Sequence, residues 1–452
     1  MAKVVNNSKK NIDMTTGSLW RNMLIFSIPL IFSNLLQVLF NMADLAVAGR
    51  FAGRIALGAV GSTSILIHVF IYFLIGMGNA VSVFTARYLG SNEKNLVKET
   101  IQNGLLICAI FGLIIMTAGL IFSPEILRLM GTKRDLIDGA ITYIRIYFLS
   151  MPAVALFNYG NGIYSAYGDT KRPLIILLIA GVINVALNVL FVVIAKMDVA
   201  GVAWASVISQ YLSCALIVTS LLRHSGAIKL SLRDFRLNTT LCKNIMLLGI
   251  PGGIQNSIFM IANTFIQGAI NSFDSIVVAG TSAAAYADTF VWDVMAAFYV
   301  GTSSFIGQNL GARNKERIRT AYIIGMVYSV GIAIVLGGLL LIWGKEFLGL
   351  FTSEEAVVDA GMQKLVVMAF SYFISGFMDN TIAASRGLGH TVVPTIVVIL
   401  GSCVFRIVWI FTIFAYYKTI SSLFLLYSFS WGITAVAEIV YFVYIYRRLN
   451  LA

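Results

Sequence analysis

The chain has 452 residues, of which 59% are hydrophobic and 12% charged, and its mean hydropathy is +0.87. A soluble domain has about half apolar and a quarter charged residues, so this composition excludes an ordinary soluble protein. The formal net charge of +12 would suit a nucleic-acid-binding protein, but the basic residues are concentrated in loops between apolar runs. We therefore expect a lipid bilayer, and no nucleic acid, as the macromolecular partner.

Apolar runs long enough to cross a bilayer, which takes roughly 20 residues, recur along nearly the whole chain. They predict an all-α integral membrane protein with twelve transmembrane helices. The predicted spans are residues 20–47, 57–86, 97–122, 137–160, 173–195, 199–222, 243–270, 277–307, 317–343, 357–385, 392–417 and 422–446. A polar lead, residues 1–19, precedes them, and a short tail, residues 447–452, follows.

The basic residues predict the orientation of these spans. When the lead is placed in the cytoplasm, most Lys and Arg residues fall on the cytoplasmic side, as is usual for polytopic proteins. The cytoplasmic clusters are Arg223, Lys229, Arg233 and Arg236, then Arg313, Lys315, Arg317 and Arg319, then Arg447 and Arg448. The pattern predicts a multi-pass protein of the plasma membrane with both termini in the cytoplasm.

The chain repeats itself at an offset of 221 or 222 residues. The repeated anchors are Ile28-Pro29 with Ile250-Pro251, Leu89-Gly90 with Leu310-Gly311, and Gly168, Thr170 and Pro173 with Gly389, Thr391 and Pro394. Six spans return the chain to its starting side, so the halves are predicted to be parallel lobes related by a pseudo-two-fold axis along the membrane normal. We predict an N-lobe (20–222), a cytoplasmic linker (223–242) and a C-lobe (243–446), an arrangement found in secondary transporters. A duplicated scaffold without transport is the alternative.

Span 1 carries a stripe of polar residues on one helical face, Asn34, Gln37, Asn41 and Asp44. Polar groups cannot face hydrocarbon without a large cost, so the stripe either joins helices or lines a cavity. The carboxylate at its end favours the cavity. We predict that Asn34, Gln37 and Asn41 contact substrate.

The second half also carries polar and aromatic residues within its spans. Those predicted to contact substrate are Gln255 and Asn263 in span 7, Asp288 and Trp292 in span 8, and Tyr372 and Asp379 in span 10. A carboxylate beside aromatic rings suits a lipophilic organic cation, through Coulomb attraction and cation–π contact. Aromatic residues at helical spacing also serve as packing, and that interpretation stays open.

Arg406 lies near the middle of span 11, where an unpaired charge would be costly. We predict a structural ion pair with Glu438 of span 12, with Asp379 as a second candidate partner. Substrate contact by Arg406 is the alternative.

Several motifs carry a resemblance to a known family. They are Ile28-Pro29 with Phe40-Asn41-Met42-Ala43-Asp44 and Ala48-Gly49-Arg50, then Gly168-Asp169-Thr170-Lys171-Arg172-Pro173, Gly307-Gln308-Asn309-Leu310-Gly311-Ala312 and Arg386-Gly387-Leu388-Gly389. Over nearly its whole length the chain resembles the multidrug and toxic compound extrusion (MATE) transporters. Its lead, Met14-Thr15-Thr16-Gly17-Ser18, resembles members from Gram-positive bacteria.

The resemblance implies a twelve-helix, two-lobe antiporter, here expected to be a monomer, that expels organic small molecules against an inward proton or sodium gradient without another cofactor. The cation-coupling site of the family maps onto Asp44, Asn161 and Asn184, and Asn188 stands where the family usually has Asp. The missing carboxylate counts against a sodium site of the family type, although Na⁺ at Asp44 stays open and no other metal is expected. Helix–helix hydrogen bonding is the alternative role for the asparagines.

Asp44 is the predicted coupling residue. Burial beside amides rather than cations disfavours the charged form of a carboxyl, which suits a group that must take up protons near neutral pH. Three other classes of protein fit the sequence less well. An enzyme is disfavoured because the chain has no metalloprotease, P-loop or nucleophile-elbow motif. A flippase for lipid-linked or polysaccharide precursors needs several cations in its cleft, and a passive channel or receptor does not account for the duplication.

Overall fold

The computed structural model describes residues 12–451, so most of the predicted lead lies outside the described residues. The described residues of the first half form α1 Leu19–Val47, α2 Gly53–Gly90, α3 Lys94–Leu129, α4 Ile137–Phe148, α5 Met151–Tyr167, α6 Lys171–Asn188 and α7 Asp198–Leu222. Those of the second half form α8 Thr239–Ile270, α9 Ser275–Gly311, α10 Lys315–Gly349, α11 Glu355–Ala369, α12 Tyr372–Gly387, α13 Val392–Val398, α14 Phe405–Trp409, α15 Ala415–Tyr417 and α16 Ile420–Arg447. Short π-helical stretches are Ala48–Ala52, Val189–Ile194, Ile399–Val404 and Ile410–Phe414.

The predicted all-α membrane fold with twelve spans is confirmed. Ten continuous helices are long and apolar enough to cross a membrane, and two bent pairs supply the other two crossings. Helices α13 to α15, with the π-helical turns between them, form one continuous span from Val392 to Tyr417. The sequence did not predict the bends.

The two bends lie at the fourth crossing of each half. Helices α4 and α5 meet at 46°, and α11 and α12 meet at 48°. Pro152, at the start of α5, has no N–H to donate to the carbonyl of Phe148, so the first helix breaks there. At the second bend the hydroxyl of Ser371 donates to the carbonyl of Val367 at 2.7 Å and competes with the helical hydrogen bond.

The same irregularities recur in both halves. The fifth crossing of each half contains π-helical turns, Val189–Ile194 in the first and Ile399–Val404 in the second. Gly168 and Gly389, which follow the bent crossings, have positive φ angles of 84° and 87°, a conformation that favours glycine. These matching features explain why glycine recurs at this repeat position.

The lobes contact each other toward one end of the bundle. We call the end where α1 begins and α16 finishes the terminal end, and the other the distal end. Among the described residues, the lobe-to-lobe hydrogen bonds run from the terminal end to about mid-helix, where Asn34 Nδ2 donates to the carbonyl of Asp293 at 2.8 Å and Ser257 Oγ donates to that of Val69 at 2.8 Å. At the terminal end a Cβ on Gly90 would overlap the carbonyl of Gln308, so the close approach requires glycine.

A short segment before α1, residues 12–18, ties both lobes together at the terminal end. The side chain of Met14 is fully buried, and its carbonyl accepts hydrogen bonds from Asn309 Nδ2 at 3.0 Å and Arg317 Nη2 at 3.2 Å. Arg317 also donates to the carbonyls of Thr16 and Gly17. Because these contacts join the start of α1 to α9 and α10, we call residues 12–18 the N-terminal latch.

The carboxylate of Asp13 holds the shape of the latch. Its oxygens accept hydrogen bonds from the backbone and hydroxyl groups of Thr15 and Thr16 at 2.7–3.1 Å. Partial burial alone would raise the pKa of Asp13, but these hydrogen bonds outweigh that effect and lower the pKa. The Asp13 carboxylate therefore stays ionised, and keeps its hydrogen bonds within the latch, as the pH falls through the range in which an aspartate usually takes up a proton.

Replacing Arg317 with Ala should loosen the latch. The change removes three hydrogen bonds from a charged group to backbone carbonyls, and bonds of that kind contribute about 1.5–3 kcal/mol each. We expect amide hydrogen exchange in residues 12–18 to speed up by about tenfold or more, measured by mass spectrometry in detergent. Arg319→Ala, an exposed change on the same helix, is the control. Equal exchange in the two variants would contradict the latch.

Candidate functional site

The polar residues of the N-lobe converge on Asp44, three residues before the end of α1 at Val47. Asn188 of α6 donates its Nδ2 to Asp44 Oδ1 at 2.5 Å, and Ser206 of α7 donates its hydroxyl to Asp44 Oδ2 at 3.3 Å. Both donors are neutral. The carboxylate is thus held by three helices and has no ion-pair partner among the described residues.

A chain of hydrogen bonds continues from Asp44 into the lobe. Asn188 Nδ2 also lies 3.2 Å from Asn184 Oδ1, and Asn184 Nδ2 donates to Ser209 Oγ at 3.4 Å. Asn184 and Asn188 are 6% and 0% exposed, so their amides are shielded from lipid and from bulk water. We call Asp44, Asn184, Asn188, Ser206 and Ser209 the N-lobe cluster.

The amide of Asn188 suits both protonation states of Asp44. Its Nδ2 donates to the carboxylate, while its Oδ1 is buried without a hydrogen-bond partner. A rotation of the amide by about 180° would present Oδ1 as an acceptor for a protonated carboxyl. An ionised aspartate at this position could accept a hydrogen bond but not donate one. Asparagine can do both, so it can stabilise Asp44 before and after the carboxyl gains a proton.

Asn161 does not join the N-lobe cluster. It lies six residues before Tyr167, the end of α5 at the terminal end of the bundle, whereas Asp44 lies near the distal end. It makes no side-chain hydrogen bond to the cluster within residues 12–451. The order of residues along α5 places Asn161 at the other end of the lobe, so the predicted grouping with Asp44 is not seen in this conformation and its role in cation coupling stays a prediction. Ser206 and Ser209 were missed, since lone serines are common in membrane helices.

The polar stripe of span 1 divides between two surroundings. At about 100° per residue, Asn34 and Asp44 differ by about 80° around the helix. Asn34 points to α9 of the C-lobe, and Asp44 points into the N-lobe. Gln37 and Asn41, between them, are exposed and stay predicted substrate contacts.

A largely buried ion pair in the C-lobe involves Asp288, one of the predicted substrate contacts. Asp288 Oδ2 lies 2.8 Å from Lys364 Nζ, and Tyr372 donates its hydroxyl to Asp288 Oδ1 at 2.5 Å. Lys364 is 4% exposed, donates to the carbonyl of Thr281 and lies 5.0 Å from the ring centroid of Phe424. Asp288 and Tyr372 hold this cation in the conformation described here, and their predicted contact with substrate stays a prediction.

Lys364 is a residue that the sequence analysis missed. It lies inside the predicted span 357–385. The free-energy cost of an unpaired ammonium in lipid could have predicted a carboxylate partner for it, by the same argument that was applied to Arg406. Its contacts join α11 to α9, and Tyr372 joins α12 to the same carboxylate. The pair therefore fixes both arms of the bent crossing to α9.

Arg406 is fully buried, but not in the predicted ion pair. Its Nε donates to Ser430 Oγ and its Nη1 to Asn263 Oδ1, each at 3.2 Å. Three rings surround the guanidinium, with centroids 4.6 Å (Phe259), 4.5 Å (Tyr427) and 5.8 Å (Trp431) away.

The Arg406–Glu438 prediction was wrong because of helix register. Glu438 lies eight residues beyond Ser430 on α16, about 12 Å along the helix axis, so the guanidinium meets aromatic rings instead.

Two of the predicted substrate contacts make hydrogen bonds within the C-lobe. Asn263 accepts the hydrogen bond from Arg406. Trp292 donates its ring N–H to Ser375 Oγ at 3.3 Å and packs against Phe259.

A small cavity of about 80 Å³ lies between the lobes in the terminal half of the bundle. Its polar wall comes from both lobes and consists of Asn79, Ser82, Tyr299, Ser303, Ser304 and Arg386. Arg386 Nη2 donates to Gln255 Oε1 at 3.0 Å, and Thr395 Oγ1 donates to the same oxygen at 3.1 Å. Gln255 is therefore a link between α8, α12 and α13.

Two half-buried acids remain near the lobe interface, Asp293 in α9 and Asp379 in α12. The carboxylate of Asp293 forms no ion pair among the described residues, and its backbone accepts the hydrogen bond from Asn34 at mid-helix. Asp293, which was not assigned a role from the sequence, is therefore an acid without an ion pair close to the lobe interface.

Comparison with known proteins agrees with this arrangement. The sequence model of the MatE family matches residues 29–190 and 251–412, which together exceed half of the chain. The chain belongs to the MATE family of membrane transporters. This confirms the family and the prediction of a transporter rather than an enzyme. The two matches begin 222 residues apart (251 − 29), close to the offset of the sequence anchors.

Relatives and solved structures of the MATE family cover most of the chain. The "Probable multidrug resistance protein YoeA" of Bacillus subtilis (strain 168) is 26% identical over 391 residues, 85% of this chain and 84% of that protein. The "Multidrug export protein MepA" of Staphylococcus aureus (strain NCTC 8325 / PS 47) is 22% identical over 382 residues, 82% and 83% of the two chains. A structure titled "Outward-facing conformation of a multidrug resistance MATE family transporter of the MOP superfamily" aligns with a TM-score of 0.90 and 22% identity, over 98% of this chain and 99% of that one. The last similarity shows the fold.

Proposed function

We propose that this MATE transporter exports organic compounds, chiefly lipophilic cations, across the plasma membrane in exchange for protons. The names of the bacterial relatives, which include multidrug resistance and export proteins, support this substrate class and direction. The N-lobe cluster supports the proton, rather than sodium, as the coupling ion. Within residues 12–451, Asp44 meets two neutral hydrogen-bond donors there and no second carboxylate. A sodium ion would be better served by the aspartate that Asn188 replaces.

The basic segments that bear on the orientation lie at the terminal end. Arg223 and Arg313 follow α7 and α9, and Arg447 ends α16. The positive-inside rule supports a cytoplasmic terminal end, so both termini are cytoplasmic in the proposal. With the lobes joined at that end, the conformation described here is the outward-facing one.

The exchange begins with proton entry at Asp44. A proton arriving from the distal, exterior side neutralises the carboxylate and weakens its hydrogen bonds to Asn188 and Ser206. Helix α1 then changes its packing, and because Asn34 of α1 contacts α9, the change reaches the interface between the lobes. At a difference of one pH unit each proton supplies about 1.4 kcal/mol, enough for roughly tenfold accumulation of substrate. In a one-for-one exchange with a monovalent cation the membrane potential adds nothing, because one positive charge moves each way.

The substrate is proposed to bind between the lobes at mid-helix. Asp293 supplies a carboxylate there, Trp292 supplies a neighbouring ring, and Gln37 and Asn41 supply polar groups on α1. A cation is favoured by the Coulomb attraction of the acid and by the face of the ring. Asp379 is a further acid for the same substrate when the lobes move.

Transport by everted membrane vesicles tests the proposal. With only a proton gradient imposed, we expect a fluorescent organic cation to accumulate at least tenfold, and with only a sodium gradient we expect none. Asp293→Asn should raise the half-saturating cation concentration about tenfold, because it removes the unpaired charge, while Asp359→Asn, an exposed acid paired with Lys345, should behave as wild type. Accumulation driven by sodium alone would contradict proton exchange, and preferential movement of a lipid pyrophosphate would favour a flippase.

A further inference from the structure

Glu438 is a buried acid that the proposed exchange at Asp44 does not use. It lies in α16, nine residues before Arg447, and its side chain is fully buried. Both carboxyl oxygens lack a hydrogen-bond partner among the described residues. An ionised carboxylate that is buried without donors or a paired cation is strongly disfavoured. The surroundings of Glu438 in this conformation therefore suit the neutral, protonated acid.

A cation stands close by without being paired to it. Arg386 of α12 lies one helical turn before His390, whose Nδ1 is 3.3 Å from the hydroxyl of Tyr441, and Tyr441 lies one turn after Glu438 on α16. Arg386 and Glu438 are thus at the same level of two neighbouring helices, but Arg386 forms no ion pair among the described residues. One Arg386 nitrogen, Nη2, donates to Gln255 across to α8, while Nε is buried without a partner. One N–H donor of Arg386 and the two carboxyl oxygens of Glu438 thus lack partners in the same region.

The other charged groups around α16 are engaged elsewhere or belong to the same group of charges. Arg406 of α14 is held by Ser430, Asn263 and three rings, and Lys364 of α11 is paired with Asp288. Asp379 lies about two turns before Arg386 on α12, and Tyr441, one turn after Glu438 on α16, shares a hydrogen bond of 3.3 Å with Nδ1 of His390. Arg386 is therefore the cation that can respond to the charge of Glu438.

We propose that Glu438 is a second proton carrier, located in the C-lobe, which holds its proton in this conformation and releases it when it forms an ion pair with Arg386. The inference deepens the proposed function and depends on it. Glu438 takes up its proton from the exterior while the lobes are in this conformation. When the lobes rearrange, the Arg386 guanidinium leaves Gln255 and turns to Glu438, and the proton of Glu438 passes to the cavity that Arg386 lines, which is then open to the cytoplasm. Loss of the Arg386–Gln255 bond frees α12 from α8 on the wall of that cavity. Proton release and opening of the terminal end are then one event.

The number of protons exchanged per substrate tests this carrier. Full-length protein is reconstituted in liposomes with the membrane potential clamped at zero, and accumulation of tetraphenylphosphonium is measured against the imposed pH difference. Each coupled proton contributes a factor of ten per pH unit, so two carriers give about a hundredfold per unit and one gives about tenfold. We expect two for wild type and one for Glu438→Gln, a tenfold loss at one pH unit. Glu346→Gln, an exposed change on α10, should leave the exponent at two.

An exponent that is the same in Glu438→Gln and wild type overturns the inference, whatever the absolute rate. Should Glu438→Gln fail to fold, Arg386→Gln provides the second variant, because it removes the partner of the ionised Glu438 and is expected to give an exponent of one. An unchanged exponent in Arg386→Gln overturns the inference equally. Wild type that accumulates no cation under any proton gradient refutes the proposed function itself, which distinguishes the two failures.

Discussion

The Asp44→Asn variant is expected to bind organic cations but not to exchange them for protons. Asparagine keeps the size and the hydrogen-bonding geometry at the N-lobe cluster, so Asn188 and Ser206 retain a partner. It cannot gain or lose a proton near neutral pH. Protonation of Asp44 is also the proposed step that changes the packing of α1, so without it the lobes do not rearrange and Glu438 releases no proton either. Substrate-driven proton movement in proteoliposomes should therefore fall to the background of empty liposomes, a loss of about a hundredfold or more.

Binding must be measured alongside proton movement, because a misfolded variant would lose both. The dissociation constant of a fluorescent cation should change by less than about threefold in Asp44→Asn, since the proposed substrate contacts lie at the lobe interface. Ser206→Ala is the matched change, as it removes the longer of the two hydrogen bonds to Asp44 and keeps the carboxyl. It should retain coupling at a reduced rate. Full proton exchange by Asp44→Asn would remove Asp44 from the mechanism.

The second large effect is expected on stability, at the ion pair between Asp288 and Lys364. Asp288→Ala leaves the Lys364 ammonium, which is 4% exposed, without its carboxylate. Breaking a buried pair from one side costs about 3–5 kcal/mol, so we expect a large fall in the thermal unfolding midpoint in detergent. Lys364→Met should cost less, because Tyr372 still donates to Asp288 and the acid is partly exposed.

The double variant Asp288→Ala/Lys364→Met separates pairing from simple loss of packing. With both charges removed, no buried ammonium is left, and the double variant should be more stable than Asp288→Ala alone. The coupling between the two changes should exceed about 1 kcal/mol, as for residues in direct contact. Additive effects would show that the pair does not stabilise the bent crossing.

Much of the architecture follows from the sequence alone. The apolar spans can be identified because a helix must carry about 20 residues of hydrocarbon-compatible side chains to cross a bilayer. The repeat could be detected because glycine and proline recur where the backbone needs them, as at Gly168 and Gly389. The resemblance to the MATE family grouped Asp44, Asn184 and Asn188, and the cost of placing such polar groups in lipid required that each find a partner.

The pairing of side chains between distant helices was decided by the tertiary structure. Arg406 and Glu438 needed partners, but the register of α14 against α16 gave the arginine three rings and left the glutamate unpaired. Lys364 forms the ion pair with Asp288. Because Asn34 and Asp44 differ by about 80° around α1, Asn34 contacts the C-lobe whereas Asp44 points into the N-lobe. Periodicity along a helix determines which residues share a face, and the residue types determine the free-energy cost of placing each side chain in lipid. It does not determine the rotation and axial shift of one helix against the next, on which every one of these contacts depends.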